Sequence, residues 1–127
     1  NLARNPAIQV TGTVEDIRPY LQNATMAVAP ITYGAGIQNK VLEAMACGTP
    51  IITTSQAVSA LSIRPEIDAI IADKPDKFAQ SVLDLIKNPE RQRQIGQAGR
   101  RYVEDNHRWT DITTELVRIY GQVSHLQ

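Results

Sequence analysis

Short apolar runs of β-strand type alternate with longer helical patterns along this chain. The runs lie at Ala7–Thr11, Met26–Ala29, Ile51–Thr54 and Ala69–Ala72, and most of them end close to a glycine or proline. Strands that alternate with helices pack into a parallel sheet with the helices on its faces. The alternation therefore predicts an α/β fold, with the last run as an edge strand.

Helix signals fill the intervals between the first three runs. A short helix is predicted at about Ile17–Asn23, with Asp16 as N-cap and Pro19 in its first turn. A second is predicted at about Ile37–Cys47, and it ends at Gly48 as the residue after the C-cap.

The carboxyl-terminal third reads as helical throughout. Helices are predicted over Asp76–Lys87, Glu90–Asp105 and Thr110–Ser124, each with apolar residues at helical spacing. The apolar positions expected to face the core are Phe78, Val82, Leu85 and Ile86 in the first of these helices, Ile95, Tyr102 and Val103 in the second, and Ile112, Leu116, Ile119 and Val123 in the third.

Composition excludes several classes of function. The 127 residues fit one domain, and 13 basic and 13 acidic side chains cancel, so no overall field favours nucleic acid. Cys47 is the one cysteine and His107 and His125 are the two histidines, which excludes a disulfide framework and a zinc site of the usual Cys/His count. We expect a cytoplasmic setting, and the start at Asn1 suggests a piece of a longer protein.

The most informative stretch runs from Pro30 to Pro50 as strand end, glycine loop, helix, glycine and strand. Loops after the carboxyl ends of parallel strands line the ligand crevice of such sheets. Gly34 and Gly36 allow close backbone approach, and the helix N-terminus behind them favours an anion such as a diphosphate. Lys40 in the first turn adds a formal positive charge.

Glu43 shares one side of this helix with Asn39 and Lys40. Val41 and Met45, with Ile37, share another side that can face the core. A carboxylate accepts hydrogen bonds from two vicinal hydroxyls of a ribose or hexose. Together with a diphosphate site at the start of the helix, such a contact would recognise a nucleotide sugar. The same spacing also fits a solvated Lys–Glu helix pair, and spacing alone leaves both interpretations open.

Lys40–Pro50 resembles the donor domain of retaining glycosyltransferases of the GT-B fold, family four. That family carries Lys-x-Leu-Glu-Ala-Met-Ala-x-Gly-x-Pro at this place, and every specified residue is present. Further similarity lies at Val10–Asp16, Pro19–Leu21 with Ala24, Phe78-Ala79, Pro89–Arg91, Gly99-Arg100 and Trp109. The resemblance implies a Rossmann-like sheet that is truncated at its N-terminal side.

The resemblance also implies site residues. The nucleotide base would lie against Gly12, Thr13 and Val14, and the ribose hydroxyls would be held by Glu43. The donor diphosphate and sugar would lie against Gly34, Ala35, Gly36, Ile37, Gln38, Asn39 and Lys40. The catalytic constellation would not be complete within this chain.

Two departures from the family pattern stand out. Ala35 stands where the family typically has the first of two glutamates. The chain is more similar to a subgroup that replaces this glutamate, carries Gly-x-Gly-Ile-x-Asn-Lys and is linked to bacterial exopolysaccharide systems. Two leading β-α units and the acceptor domain are also missing, so residues 1–127 would be a partial donor domain that is inactive alone. An unpaired sheet edge predicts dimers of the isolated chain.

For the whole enzyme, the resemblance implies transfer of a hexose from a UDP- or GDP-sugar with retention, without a metal or other cofactor. The acceptor would be a sugar or a lipid-linked molecule, and the enzyme would be cytoplasmic or peripheral to the inner membrane. One alternative is a nucleotide-sugar epimerase of the same architecture. Another is a non-catalytic α/β binding module, which would need acidic residues at the strand end where Thr11, Gly12 and Thr13 stand.

The remaining reactive or charged residues fit simple roles. Cys47 lies on an apolar helix and is expected to be a small buried hydrophobe. His107, next to Trp109 in the turn between two helices, is expected to be a surface and packing residue, with an acceptor-side or domain-closing contact as the alternative. The arginines from Arg91 to Arg108 have interleaved acidic residues and no accompanying aromatic row, which favours a solvated helix face over nucleic-acid binding.

Overall fold

A computed structural model describes residues 4–32 and 39–106 of the chain. These residues form four helices and three strands, which alternate from α1 to β2; β3 then follows β2 without a helix between them, and two helices come last. The elements are α1 (Arg18–Asn23), β1 (Ala27–Ala29), α2 (Asn39–Ala46), β2 (Ile51–Thr53), β3 (Ile70–Ile71), α3 (Pro75–Ile86) and α4 (Pro89–Asn106).

The three strands make one parallel sheet in the order β1-β2-β3. Ala27 is in register with Ile51, and Ile52 is in register with Ile70. The parallel sheet with flanking helices that the sequence predicts is therefore confirmed, and β3 lies at an edge of the described sheet.

The predicted strand at Ala7–Thr11 is wrong. The segment is irregular, its Val10 side chain is 65% exposed, and a turn forms where Asn5 accepts hydrogen bonds from the backbone N–H groups of Ala7 and Ile8, both at 2.9 Å. A strand needs a neighbour to pair its backbone groups. Among the described residues, no strand lies beside this segment, so its β-type composition has nothing to pair with.

The apolar core lies on both faces of the sheet. One cluster contains Val41 and Met45 of α2, together with Ile51 of β2 and Tyr102 and Val103 of α4. The second cluster contains four residues, one from each of β2, β3, α3 and α4: Ile52, Ile70, Leu85 and Ile95. Strand β2 therefore sends alternate side chains into the two clusters, as a strand buried on both faces does.

Helix α2 ends in the glycine motif that the sequence predicts. Gly48 has φ +73°, its N–H donates to Met45 O at 3.0 Å, and the Thr49 N–H donates to Ala44 O at 3.0 Å. These are the two bonds of a Schellman motif, which needs a left-handed residue at this place.

Helix α4 approaches the end of α2 through a glycine. A Cβ placed on Gly96 would lie 2.3 Å from Gly48 O, and one on Gly99 would lie 3.0 Å from Asp68 O. The contact therefore depends on the absence of side chains, and it brings the buried face of α4 onto the first cluster.

Both carboxyl-terminal helices within the described residues match their predicted positions, with one correction. Phe78 and Val82 pack on the second cluster with buried Leu85, but Ile86 is 54% exposed. Ile86 is the last residue of α3 and lies about 100° around the helix from Leu85, which turns it away from the sheet. The predicted helix Thr110–Ser124 lies outside the described residues, as does Trp109.

Candidate functional site

A cleft of about 470 Å³ lies between α1 and α2, beside the carboxyl end of β1. This volume is within the usual range for small-molecule sites. We call it the α1–α2 cleft, and its lining residues are Ile17, Leu21, Ala27, Val28, Ala29, Pro30, Ile31, Lys40, Glu43 and Ile51.

The wall on the β1 side follows from local sequence. Ala27 and Ala29 pack against the first core cluster with small side chains, so the backbone of β1 can lie close to α2. Pro30 then ends the strand because it has no N–H for a ladder bond. The Ile31 N–H donates a hydrogen bond to Ala29 O at 2.8 Å, and this tight turn directs the chain out of the sheet.

Helix α1 provides the opposite wall. It begins one residue later than predicted, with Ile17 as the N-cap residue. The Asp16 carboxylate accepts a hydrogen bond from the Arg18 backbone N–H at 3.0 Å and pairs with the Arg18 guanidinium, also at 3.0 Å. These bonds lower the pKa of Asp16, so the helix start carries a fixed charge pair at neutral pH.

Helix α2 presents the two faces that its sequence predicts. Val41 and Met45 are completely buried, while Lys40 is exposed and Glu43 is half-buried in the cleft. Neither Lys40 nor Glu43 forms an ion pair or a side-chain hydrogen bond with another described residue. Their charged groups are therefore available to a ligand.

Cys47 follows α2 and is half-buried. Burial raises the pKa of its thiol, and the nearby carboxylates Asp16 and Glu43 raise it further against the opposing effect of Arg18. A thiol that keeps its proton is a poor nucleophile. The predicted burial of Cys47 is therefore met only in part, since the residue is half-buried rather than buried.

The structure brings together only part of the predicted site. Lys40 and Glu43 line the same cleft, and Asn39 is exposed at the beginning of the described part of α2. Gly12, Thr13 and Val14 lie in an irregular segment and do not line the cleft. The predicted diphosphate and sugar residues Gly34, Ala35, Gly36, Ile37 and Gln38 lie outside the described residues.

Sequence reasoning missed the residues behind the walls of the cleft. Thr49, Thr53 and Thr54 are buried, and each donates a hydroxyl hydrogen bond to the backbone of a lining residue. The sequence does contain one signal for these residues, because threonine is the polar residue type in the otherwise apolar strand region from Gly48 to Thr54. Threonine is common in strands, however, and the acceptors are more than 20 residues away along the chain.

The described residues contain neither a metal-ligand cluster nor a membrane-spanning helix. Across residues 4–32 and 39–106, no group of three or more His, Cys, Asp or Glu side chains is placed to hold a metal ion. Within the same residues, no helix has the length and apolar character needed to cross a membrane.

The arginines of α4 lie on a solvated face with acidic partners. Arg93 pairs with Glu90, and Arg100 pairs with Glu104 at 3.0 Å. Arg91 pairs with Glu66 at 2.9 Å. Within the described part of the series, the prediction of a solvated helix face is confirmed.

Comparison with known proteins identifies relatives that transfer sugars. The model of the family described as "Glycosyl transferases group 1" matches residues 1–88, which include the whole α1–α2 cleft. No solved structure matches the chain.

Several curated proteins are similar to most of the chain. A D-inositol 3-phosphate glycosyltransferase of Salinispora tropica is 27% identical over 84% of this chain and 22% of the relative. An alpha-maltose-1-phosphate synthase of Mycolicibacterium smegmatis is 32% identical over 85% of this chain and 30% of the relative. A GDP-mannose-dependent monoacylated alpha-(1-6)-phosphatidylinositol monomannoside mannosyltransferase of Corynebacterium glutamicum is 29% identical over 61% of this chain and 21% of the relative. The chain thus spans less than a third of each of these proteins.

Proposed function

The chain belongs to the group 1 glycosyl transferases, and from this membership we propose that its α1–α2 cleft binds the nucleotide part of a sugar donor. The observation that carries the proposal is the pair Lys40 and Glu43, which line one cleft and have no charged partner among the described residues. A structural ion pair of the usual i,i+3 kind would have satisfied both groups within the helix.

The chemistry of the pair matches the two halves of a ribose diphosphate. Glu43, half-buried against apolar walls, accepts hydrogen bonds from the two vicinal ribose hydroxyls. Lys40 lies one turn earlier and faces the diphosphate with a positive charge. The preceding residues Gly34 to Asn39 complete the diphosphate and sugar contacts, and Gly12 to Val14 contact the base.

The reaction of the whole protein is the transfer of a hexose from a UDP- or GDP-sugar with retention at the anomeric carbon. The Lys40–Pro50 motif supports this assignment through its likeness to family four. Positive charge near the diphosphate stabilises the leaving group as the glycosidic bond breaks, which is the electrostatic form of catalysis. No metal is required in this scheme.

The finer assignment is to the exopolysaccharide-associated subgroup, because Gly34 to Lys40 follow the pattern Gly-x-Gly-Ile-x-Asn-Lys. A sugar or lipid-linked acceptor is held by parts of the protein beyond this chain, at the cytoplasmic side of the membrane. The isolated chain binds the donor but does not transfer the sugar, since the acceptor side of the cleft is supplied elsewhere.

The test is isothermal titration of the full-length protein with UDP, GDP and ADP, beside a Glu43→Ala variant. We expect saturable binding of one nucleotide, weakened at least about tenfold by the substitution, since a hydrogen bond to a charged group contributes about 1.5–3 kcal/mol. Glu104→Ala is the matched control, because Glu104 is an exposed glutamate on α4 that does not line the cleft. Equal affinity of Glu43→Ala and wild type, or no binding of any nucleotide, overturns the proposal.

A further inference from the structure

Three threonines around β2 hold the backbone of the α1–α2 cleft from behind. Thr49, Thr53 and Thr54 are 4%, 0% and 4% exposed. Their hydroxyls donate to Leu21 O at 2.6 Å, to Ala29 O at 2.8 Å and to Ile31 O respectively. All three acceptor residues line the cleft. We call Thr49, Thr53 and Thr54 the threonine frame.

The bond from Thr49 fixes the helical wall. Leu21 lies in a helix of only six residues, which has no fully buried residue of its own. A helix this short is not stable alone. Its carbonyl is tied to Thr49, which follows the Schellman end of α2, so the position of α1 depends on the core.

The bond from Thr54 fixes the opposite wall at the point where the chain leaves the sheet. β1 ends at Ala29, so Ile31 lies beyond the parallel ladder. Thr54 donates to Ile31 O and accepts the Ala57 N–H at 3.2 Å. One hydroxyl thus joins the cleft wall to the turn after β2, and its two bonds fix its orientation.

We propose that the threonine frame consists of positioning residues that set the width of the α1–α2 cleft and thereby its affinity for a nucleoside diphosphate. This inference rests on the proposed function of the cleft. None of the three hydroxyls needs to touch the ligand, since each acts through the backbone of a wall residue. Thr54 has the largest effect because Ile31 has no ladder bond to replace the hydroxyl.

The experiment compares Thr54→Val with Thr54→Ser in the full-length protein. Valine keeps the shape and removes both hydrogen bonds, whereas serine keeps the hydroxyl. We expect Thr54→Val to weaken binding of the nucleotide that wild type prefers by about tenfold, because valine leaves the Ile31 carbonyl and the Ala57 N–H without their partner and the cleft wall shifts. Thr54→Ser is expected to keep affinity within about twofold of wild type, because serine retains the hydroxyl and its hydrogen bonds and loses only a methyl group.

Tyr102→Phe is the matched control for a loss of stability alone. The Tyr102 hydroxyl accepts the Ser62 N–H at 2.9 Å. Tyr102 is buried and is not among the residues that line the cleft. We expect a lower melting temperature with an unchanged nucleotide dissociation constant per folded molecule. A purely structural role for Thr54 would give the same result as this control.

Thr49→Val keeps the test decisive if Thr54→Val does not fold. It removes the one hydrogen bond from Thr49 to the Leu21 carbonyl on the α1 wall, and we expect about threefold weaker binding because one neutral hydrogen bond is lost. Wild-type affinity in the folded valine variants overturns the inference and leaves the proposed function standing. Absence of nucleotide binding in wild type overturns both.

Discussion

Residues 4–32 and residues 39–106 differ in how deeply their side chains are buried. Every residue of the first segment is exposed or half-buried, and its one helix buries no residue. The second segment holds all the fully buried apolar residues of the described chain, on both faces of β2. The α1–α2 cleft lies where the two segments meet, so one wall is held by the core and the other is held by a few hydrogen bonds.

This difference means that the two sides of the cleft are held in place by different forces. The charged residues Lys40 and Glu43 lie on α2, whose opposite face is completely buried. Leu21 lies on α1, which buries no residue fully and is tied to the core by the hydrogen bond from Thr49. The side that presents charge is therefore held by packing, and the side that encloses the ligand depends on hydrogen bonding.

Truncation of a buried side chain in the second segment is expected to change the free energy of unfolding most. Met45→Ala empties a fully buried site in the first cluster and should lower the free energy of unfolding by about 3 kcal/mol. Val10→Ala in the first segment should change it by less than about 0.5 kcal/mol, since Val10 is 65% exposed. Urea denaturation of both variants measures the difference. Similar losses in the two variants would show that the first segment contributes to the core.

A pair of glycine substitutions tests the backbone contacts of the same segments. Gly96→Ala puts a Cβ against Gly48 O and should cost about 2 kcal/mol, although alanine favours helices elsewhere. Gly12→Ala meets no atom within 4 Å but must adopt φ +66°, which should cost about 1 kcal/mol. Thermal unfolding ranks the two variants. A more stable Gly96→Ala protein would contradict the close approach of α4 to α2.

The pH dependence of stability is the next effect in size. Burial raises the pKa of Cys47 above its ordinary 9.0 in the folded state. The unfolded chain then loses this proton at a lower pH than the folded protein, so stability falls as pH rises through 9. We expect the urea midpoint of wild type to fall between pH 8 and pH 10 more than that of Cys47→Ser. Parallel slopes for the two proteins would refute the assigned environment of the thiol.

The smallest expected effect concerns self-association. β1 is an edge of the described sheet, and its Val28 side chain is 52% exposed. We expect weak dimers of the isolated chain at high concentration, and Val28→Lys should abolish them, since a lysine on an edge strand opposes pairing. Light scattering over a concentration series reports the mass. A monomer at every concentration would exclude association through this edge.

Local signals in the sequence predicted most of the second segment. The Gly48 motif, the buried face of α2 and the inward residues Ile95, Tyr102 and Val103 follow from patterns within a few residues of each other. The strand at Ala7–Thr11 failed because strand formation depends on a distant neighbour. The contacts of Gly96 and of the threonine frame could not be predicted from the sequence either, since they join residues that lie far apart in the chain.

Methyl NMR of the labelled protein shows whether the α1–α2 cleft holds the donor nucleotide. Saturating UDP, GDP or ADP is added, and the shifts of Ile17, Ala27, Ile31 and Ile51 are compared with those of Leu85 and Ile95 in the second cluster. We expect one nucleotide to shift the methyl signals of the four cleft residues and to leave those of Leu85 and Ile95 unchanged. Shifts confined to the second cluster, or none with any nucleotide, would contradict it.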